Sequence, residues 1–219
     1  MKAFMWGLVV ICVLIVAYFV YDSQRIMQVP VEVPVSSTTT DTWREILPGI
    51  PSVLYTDPQF GFSTYYPATA ALKADGFEGY LTVTGSPVVA ITLNPDMFTG
   101  TNLSDAGLYV GATTTASVVA RCAQPGANSG EIATASSTVI NGTSFAEFDS
   151  SDAGAGNMYA KKSFRTVSRD ACLEFVEVLH STQLGNYPKN TVGAFDSARF
   201  SSILDAILQT VSVASSTAR

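Results

Sequence analysis

One histidine, three cysteines and a single cluster of basic side chains bound the chemistry that this chain can do. His180 closes the apolar run "ACLEFVEVLHS" (171–181). A Ser-His-Asp hydrolase would also need a G-x-S-x-G elbow, and the sequence has none. Cys172 and His180 are eight positions apart on what reads as one strand. That places them about 26 Å from each other, beyond the reach of a nucleophile–base pair. Glu174 and Glu177 are three apart and fall on opposite strand faces, so they do not form an acid pair. Glu147 and Asp149 share a face and read as solvated or lysine-paired. No catalytic residue is assigned.

The stretch "DAGAGNMYAKKS" (152–163) has glycines, then lysines and a serine, in nearly the order of a phosphate-binding loop. Such a loop needs glycine immediately before Lys162-Ser163, and Lys161 stands there. The residues that follow alternate as a strand, so the glycines read as a turn. Asp149, Asp152 and Asn157 form an Asp/Gly/Asn-rich loop in this reading and are the candidate calcium ligands. They lack the EF-hand spacing, and a turn between strands is the preferred reading. Lys161, Lys162, Arg165 and Arg169 supply four of the twelve Lys and Arg residues. Lys161 and Arg165 share a strand face and are the candidate contacts for an anionic partner, a lipid headgroup or a cell-wall polymer. The competing and preferred reading pairs them across strands with Glu147 or Glu174. No cofactor is implied.

A formal charge of -6 and a pI near 4.6 exclude the basic face that nucleic-acid binding requires. Charged residues make up only 14%, a surface polar through hydroxyls and amides, as in exported proteins. Cys122 and Cys172 then form the expected disulfide, closing a loop of about 50 residues, with two separate buried thiols as the alternative. Cys12 lies within an apolar run.

That run, Ala3–Tyr21, holds 19 residues without a charge. As a helix it covers about 28 Å, close to the thickness of a bilayer's hydrocarbon core. Bulky aromatics stand where a cleavage site would need small residues, which favours an uncleaved anchor over a signal peptide or a lipoprotein signal. Lys2 sets a narrow positive-inside bias, with the body outside the cytoplasm. The domain reading is an anchor over 1–24, a Pro/Ser/Thr-rich spacer over 25–46, an α+β body over 47–213 and a tail over 214–219.

Within the body, "FGFSTYYP" (60–67), "GYLTVTG" (79–85) and "VVAITLN" (88–94) read as strands, with "GLYVGAT" (107–113) a weaker one. "TTASVVARCA" (114–123) reads as a short helix. Asn141-Gly142 marks a hairpin within 137–150, and two long strands follow at 157–167 and 171–181. The second is apolar on both faces and belongs in the middle of a covered sheet. Phe200, Ile203, Leu204, Ile207, Leu208 and Val211 recur at helical spacing within 195–213, a helix that covers one sheet face.

The opening "GFSTYYP", the later hairpin, the long paired strands and the closing "ILDAILQTV" resemble PsbP-like domains, over about residues 50–213. The resemblance implies a mostly antiparallel sheet sandwiched between helices. Similar domains stand behind a single N-terminal helix and a Ser/Thr/Pro spacer in bacterial envelope proteins. It implies no catalytic residue, since that fold serves accessory and binding proteins. The expectation is therefore a single-pass membrane protein of the envelope whose body binds or assembles with an envelope protein or polymer. An envelope hydrolase and a structural subunit of a surface appendage are the alternatives.

Overall fold

A computed structural model of the chain describes residues 49–214, apart from 84, 127, 128, 135 and 136. The expected anchor, the spacer and all but the first residue of the tail lie outside the described residues. Among the described residues no helix is long and apolar enough to cross a membrane.

The body opens with a hairpin of β1 (Ser52–Asp57) and β2 (Phe62–Pro67). β3 (Ala71–Lys73), β4 (Ser86–Thr92) and β5 (Leu103–Thr113) follow, then a one-turn helix α1 (Ala116–Val119). β6 (Ile132–Ala133), β7 (Thr138–Ile140), β8 (Thr143–Gly154), β9 (Asn157–Ser168) and β10 (Ala171–Thr182) come next. α2 (Ser197–Leu208) and the short β11 (Ser212–Val213) close the chain. The large sheet runs β3-β4-β5-β10-β9-β8-β6 with β7 also on β8, and the small one runs β1-β2-β11. Every strand pair is antiparallel.

Three two-residue turns, Asn141-Gly142, Ala155-Gly156 and Arg169-Asp170, fold 138–182 into a continuous ribbon. All six turn residues have positive φ, between 46° and 83°, the turn whose twist matches that of the strands it joins. Arg169 is a poor residue for that conformation, at a cost of roughly 1–2 kcal/mol. Its guanidinium compensates by donating 2.8 Å to the Pro58 carbonyl. It also lies over Gly61, where a Cβ would come within 2.5 Å of it.

β10 lies between β5 and β9, and nine of its twelve residues from Ala171 to Leu179 are buried in an unbroken run. One sheet face, carrying Leu173, Phe175 and Phe164, packs on α2 and on Phe62 of the small sheet. Asp196 caps α2 by accepting from the Arg199 amide at 3.0 Å. Phe200, Ile203, Leu204, Ile207 and Leu208 are buried along one stripe, each burial contributing roughly 1.5–3 kcal/mol.

The opposite face is covered differently from the expected helical sandwich. The described residues of 79–85 form no strand: a 3-10 turn (Glu78–Tyr80) leads into an irregular segment laid over the sheet. Its Thr82 and Val83 amides bond a carboxylate, Glu174, instead of a neighbouring strand. The expected helix over 114–123 is only one turn long, because the chain bends through 120–123 to bring Cys122 onto the sheet. A disulfide joins Cys122 to Cys172 on β10, Cα atoms 5.6 Å apart. The sheet is helix-covered on one face and coil-covered on the other.

Closing a loop of 50 residues, the disulfide restricts the unfolded chain by about 4 kcal/mol on the chain-entropy account. The double variant Cys122→Ser/Cys172→Ser is expected to lose a comparable amount of unfolding free energy in urea melts. A loss under about 1 kcal/mol would mean that the face is held by other contacts.

Candidate functional site on the coil-covered sheet face

Period-2 alternation puts Arg165, Ser163, Lys161, Tyr159 and Asn157 of β9 on the coil-covered face, opposite Glu174, Val176, Val178, His180 and Thr182 of β10. On β5 the same face carries Gly111, Tyr109, Gly107 and Asp105, and on β8 it carries Phe148, Ser150 and Asp152. A Cβ on Gly111 would lie 2.6 Å from the Leu81 side chain. The bare backbone there is what lets the 77–83 segment lie so close.

At the disulfide end, Arg165 is fully buried. Its Nε donates to Glu174 Oε1 at 2.9 Å, its Nη1 to the Gln124 carbonyl at 2.8 Å, and its Nη2 to Glu131 Oε1. The Phe148 ring lies 4.5 Å from its Cζ. Glu174 Oε2 accepts the Thr82 and Val83 amides, each at 3.0 Å, and Glu131 Oε2 accepts the Gly126 amide at 2.6 Å. Burial alone would raise the Glu131 carboxyl. The hydrogen bonds from Arg165, Gly126 and Ser129 instead hold it below its usual range. One guanidinium thus ties two covering loops to the sheet. The candidate role of Arg165 as an outward anion contact gives way to the cross-strand pairing with Glu174. Glu131 was not legible as its second partner.

Beyond the covering segment the face opens. Lys161 donates to the Gly79 carbonyl at 3.2 Å and lies 5.9 Å from the Tyr80 ring. Burial lowers its ammonium from the ordinary value, against the pull of Asp152, Glu174 and Glu131. Lys161 borders a cleft of about 300 Å³ shared with Ser150, Ser151, Asp152, Thr82 and Ser129. A neighbouring cleft of about 220 Å³ lies between Thr82-Val83 and the Val118–Gly126 stretch.

Across the last row, Asp105, His180, Tyr159 and Asp152 stand on four successive strands, β5, β10, β9 and β8. The Tyr159 and His180 rings stack at 4.3 Å, 16° from parallel. His180 Nε2 pairs with Asn157 Oδ1 at 3.0 Å, and burial lowers its pKa from the ordinary value. Asp105 accepts the Tyr109 phenol, while Tyr80 packs 4.5 Å from Tyr109. Burial, with Asp105 beside it, pushes the Tyr80 phenol up to about 12. Tyr80, Tyr109, Tyr159 and Asp105 escaped the sequence reading. The alternation of Asp105, Gly107, Tyr109 and Gly111 was the available signal.

The candidate calcium ligands do not converge. Asp149 and Asp152 lie within β8 and not in a loop, and their spacing by three puts them on opposite faces. Asn157 is engaged with His180. Among the described residues no group of three or more His, Cys, Asp or Glu side chains could hold a metal ion.

On the helix-covered face Glu177 is 5% exposed, and its Oε1 has no hydrogen-bond partner among the described residues. Lys162 Nζ lies 4.0 Å from its Oε2 and 3.3 Å from Asp205 Oδ1. Burial, and then the neighbouring Asp205 carboxylate, raise the Glu177 carboxyl well above its usual range, against Lys162.

No family model and no curated protein matches the chain. Among solved structures it is similar to LpqN of Mycobacterium tuberculosis, described as involved in cell envelope biogenesis: 11% identity, 82% of this chain and 99% of that one, TM-score 0.43. It is similar to the PsbP protein CyanoP of Synechocystis sp. PCC 6803 at 14% identity, over 83% of this chain and 100% of that one, TM-score 0.40. A Bacteroides thetaiotaomicron protein matches at 16% identity over 76% of this chain, TM-score 0.42, and the chain spans 50% of that protein's length.

Two expectations follow from the buried charges. Arg165→Met leaves Glu131 and Glu174 buried without a cation and is expected to destabilise by about 3–5 kcal/mol. Replacing all three together by apolar residues should recover only part of that loss in the same melts, because the Thr82, Val83 and Gly126 amides lose their acceptors. Glu177 lends stability while protonated, fully so below its unfolded value of 4.5, and loses it as pH rises through its higher folded-state pKa. Glu177→Gln should therefore match the parent near pH 4 and exceed it by roughly 1–2 kcal/mol near pH 8. Equal stabilities at both pH values would show that the Glu177 carboxyl titrates in the folded protein as it does in the unfolded chain.

Proposed function

We propose that this protein is a single-pass membrane protein of the cell envelope, anchored by residues 3–21. The spacer over 25–46 holds the α+β body outside the cytoplasm, where it acts as a binding module. The supporting observation is the open end of the coil-covered face. Hydroxyls, a carboxylate and an ammonium meet there around a cleft of about 300 Å³, the lower end of the size range of small-ligand sites, about 300–1,000 Å³. The Cys122–Cys172 disulfide supports an oxidising compartment.

The geometry favours binding over hydrolysis. His180 Nε2 is engaged with Asn157, and the Asp105 carboxylate accepts from the Tyr109 phenol. Neither is aimed with a nucleophile at the cleft.

Protease treatment of intact cells or spheroplasts, with alkaline extraction of their membranes, tests the placement. The body should be digested from outside, and the intact chain should stay with the membrane unless residues 1–24 are deleted. Protection of the body in sealed cells would overturn it. The full-length protein in nanodiscs should also co-sediment with purified envelope material, and failure to retain any would reject the binding reading.

A further inference from the structure

We infer that the ligand is a neutral saccharide chain, with one sugar ring seated against Tyr159 and its hydroxyls bonded in the Asp152–Lys161 cleft. This rests on the binding reading above and names the ligand class for it.

The recognition surface has two parts. The first is an aromatic face. Tyr159 has His180 as its cross-strand neighbour on β10 and Asp152 on β8. One face of its ring is taken by the His180 stack, and Tyr80 lies 6.2 Å away and tilted. Asp152, the neighbour of Tyr159 on β8, borders the cleft with Ser150 and Ser151. A π-face is electron-rich, and the axial C–H groups of a pyranose form the matching apolar, electron-poor surface.

The second part is the mixture of donors and acceptors. Ser129, Ser150, Ser151 and Thr82 carry hydroxyls that both give and take hydrogen bonds, Asp152 only accepts and Lys161 only donates. Sugar hydroxyls also give and take, one pair per carbon, and this set can satisfy them in either sense. Asp152 is exposed, and its Oδ1 takes only the adjacent Ala153 amide at 2.8 Å among the described residues.

Charge decides against an anionic ligand. Arg165 is buried and bonded to two carboxylates. Among the described residues lining the 300 Å³ cleft the one cation, Lys161, is opposed by Asp152, with Asp105 along the same row. Two carboxylates, Asp152 and Asp105, thus stand in the row beside a single ammonium, which disfavours phosphate or polyanionic polymer.

Full-length protein in nanodiscs would be titrated with chitotetraose and cellotetraose, by calorimetry and by NMR of the labelled His180 and Tyr159 rings. Inorganic polyphosphate and phosphatidylglycerol vesicles serve as the anionic arm. One oligosaccharide should bind saturably and shift both rings. Tyr159→Ala should weaken it about ten-fold or more, Tyr159→Phe should hold it, and Asp152→Asn should weaken it by about five-fold. Asp152 is exposed, so its variant tests the site even if Tyr159→Ala fails to fold. Absence of oligosaccharide binding overturns the inference, as does binding that neither variant changes. Binding of polyphosphate or vesicles instead, lost in Lys161→Gln, overturns the saccharide and leaves the binding module standing. Failure of the envelope co-sedimentation described above would reject the module itself.

Discussion

One guanidinium organises the coil-covered face. Without regular secondary structure, residues 81–83 and the described residues of 124–131 cannot satisfy their backbone groups through ladders. They do so on a carboxylate–arginine–carboxylate chain instead. Arg165 bonds Glu174 within the sheet and reaches Glu131 and the Gln124 carbonyl above it. Glu174 and Glu131 pass the charge on to the amides of Thr82, Val83 and Gly126. A buried ion group of this kind is costly to assemble and costlier to break, which makes its geometry nearly all-or-none. The disulfide at Cys172 acts on the same covering segment, two residues from Glu174. The Tyr80 and Lys161 region begins where this bonding ends.

The two faces of β10 divide the labour between them. Its α2 side is mainly an apolar core, with Phe175 meeting Phe62 and Phe145 edge-on at 5.3 and 5.9 Å, interrupted by the buried Glu177. Its other side grades from buried charge through Val176 and Val178 to a polar, aromatic end at His180. The rigid half carries the open half. A ligand meeting Tyr159 or Asp152 therefore meets side chains on long, paired strands, positioned with little freedom to lose.

Where local pattern and local cause coincided, the sequence was readable. Asn141-Gly142 announced its turn, because both positions need positive φ and these residues accept it. The helix stripe from Phe200 to Leu208 and the doubly apolar 171–181 strand were legible for the same reason. The Arg169-Asp170 turn falls in the short gap left between the two expected strands, and its conformation is held from a distance by Pro58 and Gly61. Failures came where tertiary partners overrode pattern. The alternation in "GYLTVTG" looked like a strand, but the amides of that segment face Glu174, 91 positions away at Val83. Cys122–Cys172 was within reach of counting, whereas the Tyr80–Tyr109–Asp105 cluster depends on how the covering segment lies and left only the alternating glycines of β5 as a trace.

The position of β11 has a consequence for how the domain comes into being. Ser212 and Val213 pair with Ser63 and Phe62, and Ala214 bonds back to Gly61 and to Ser168. The final described residues thus stitch the first hairpin to the ribbon of long strands. Local turns let that ribbon form early, but pairings between distant parts of a chain are slow to find. A chain cut short of residue 212 would carry α2 without the stitch that fixes the small sheet against it. The small sheet is therefore complete only when residues 212–214 are in place, after all the other strands of the domain in chain order.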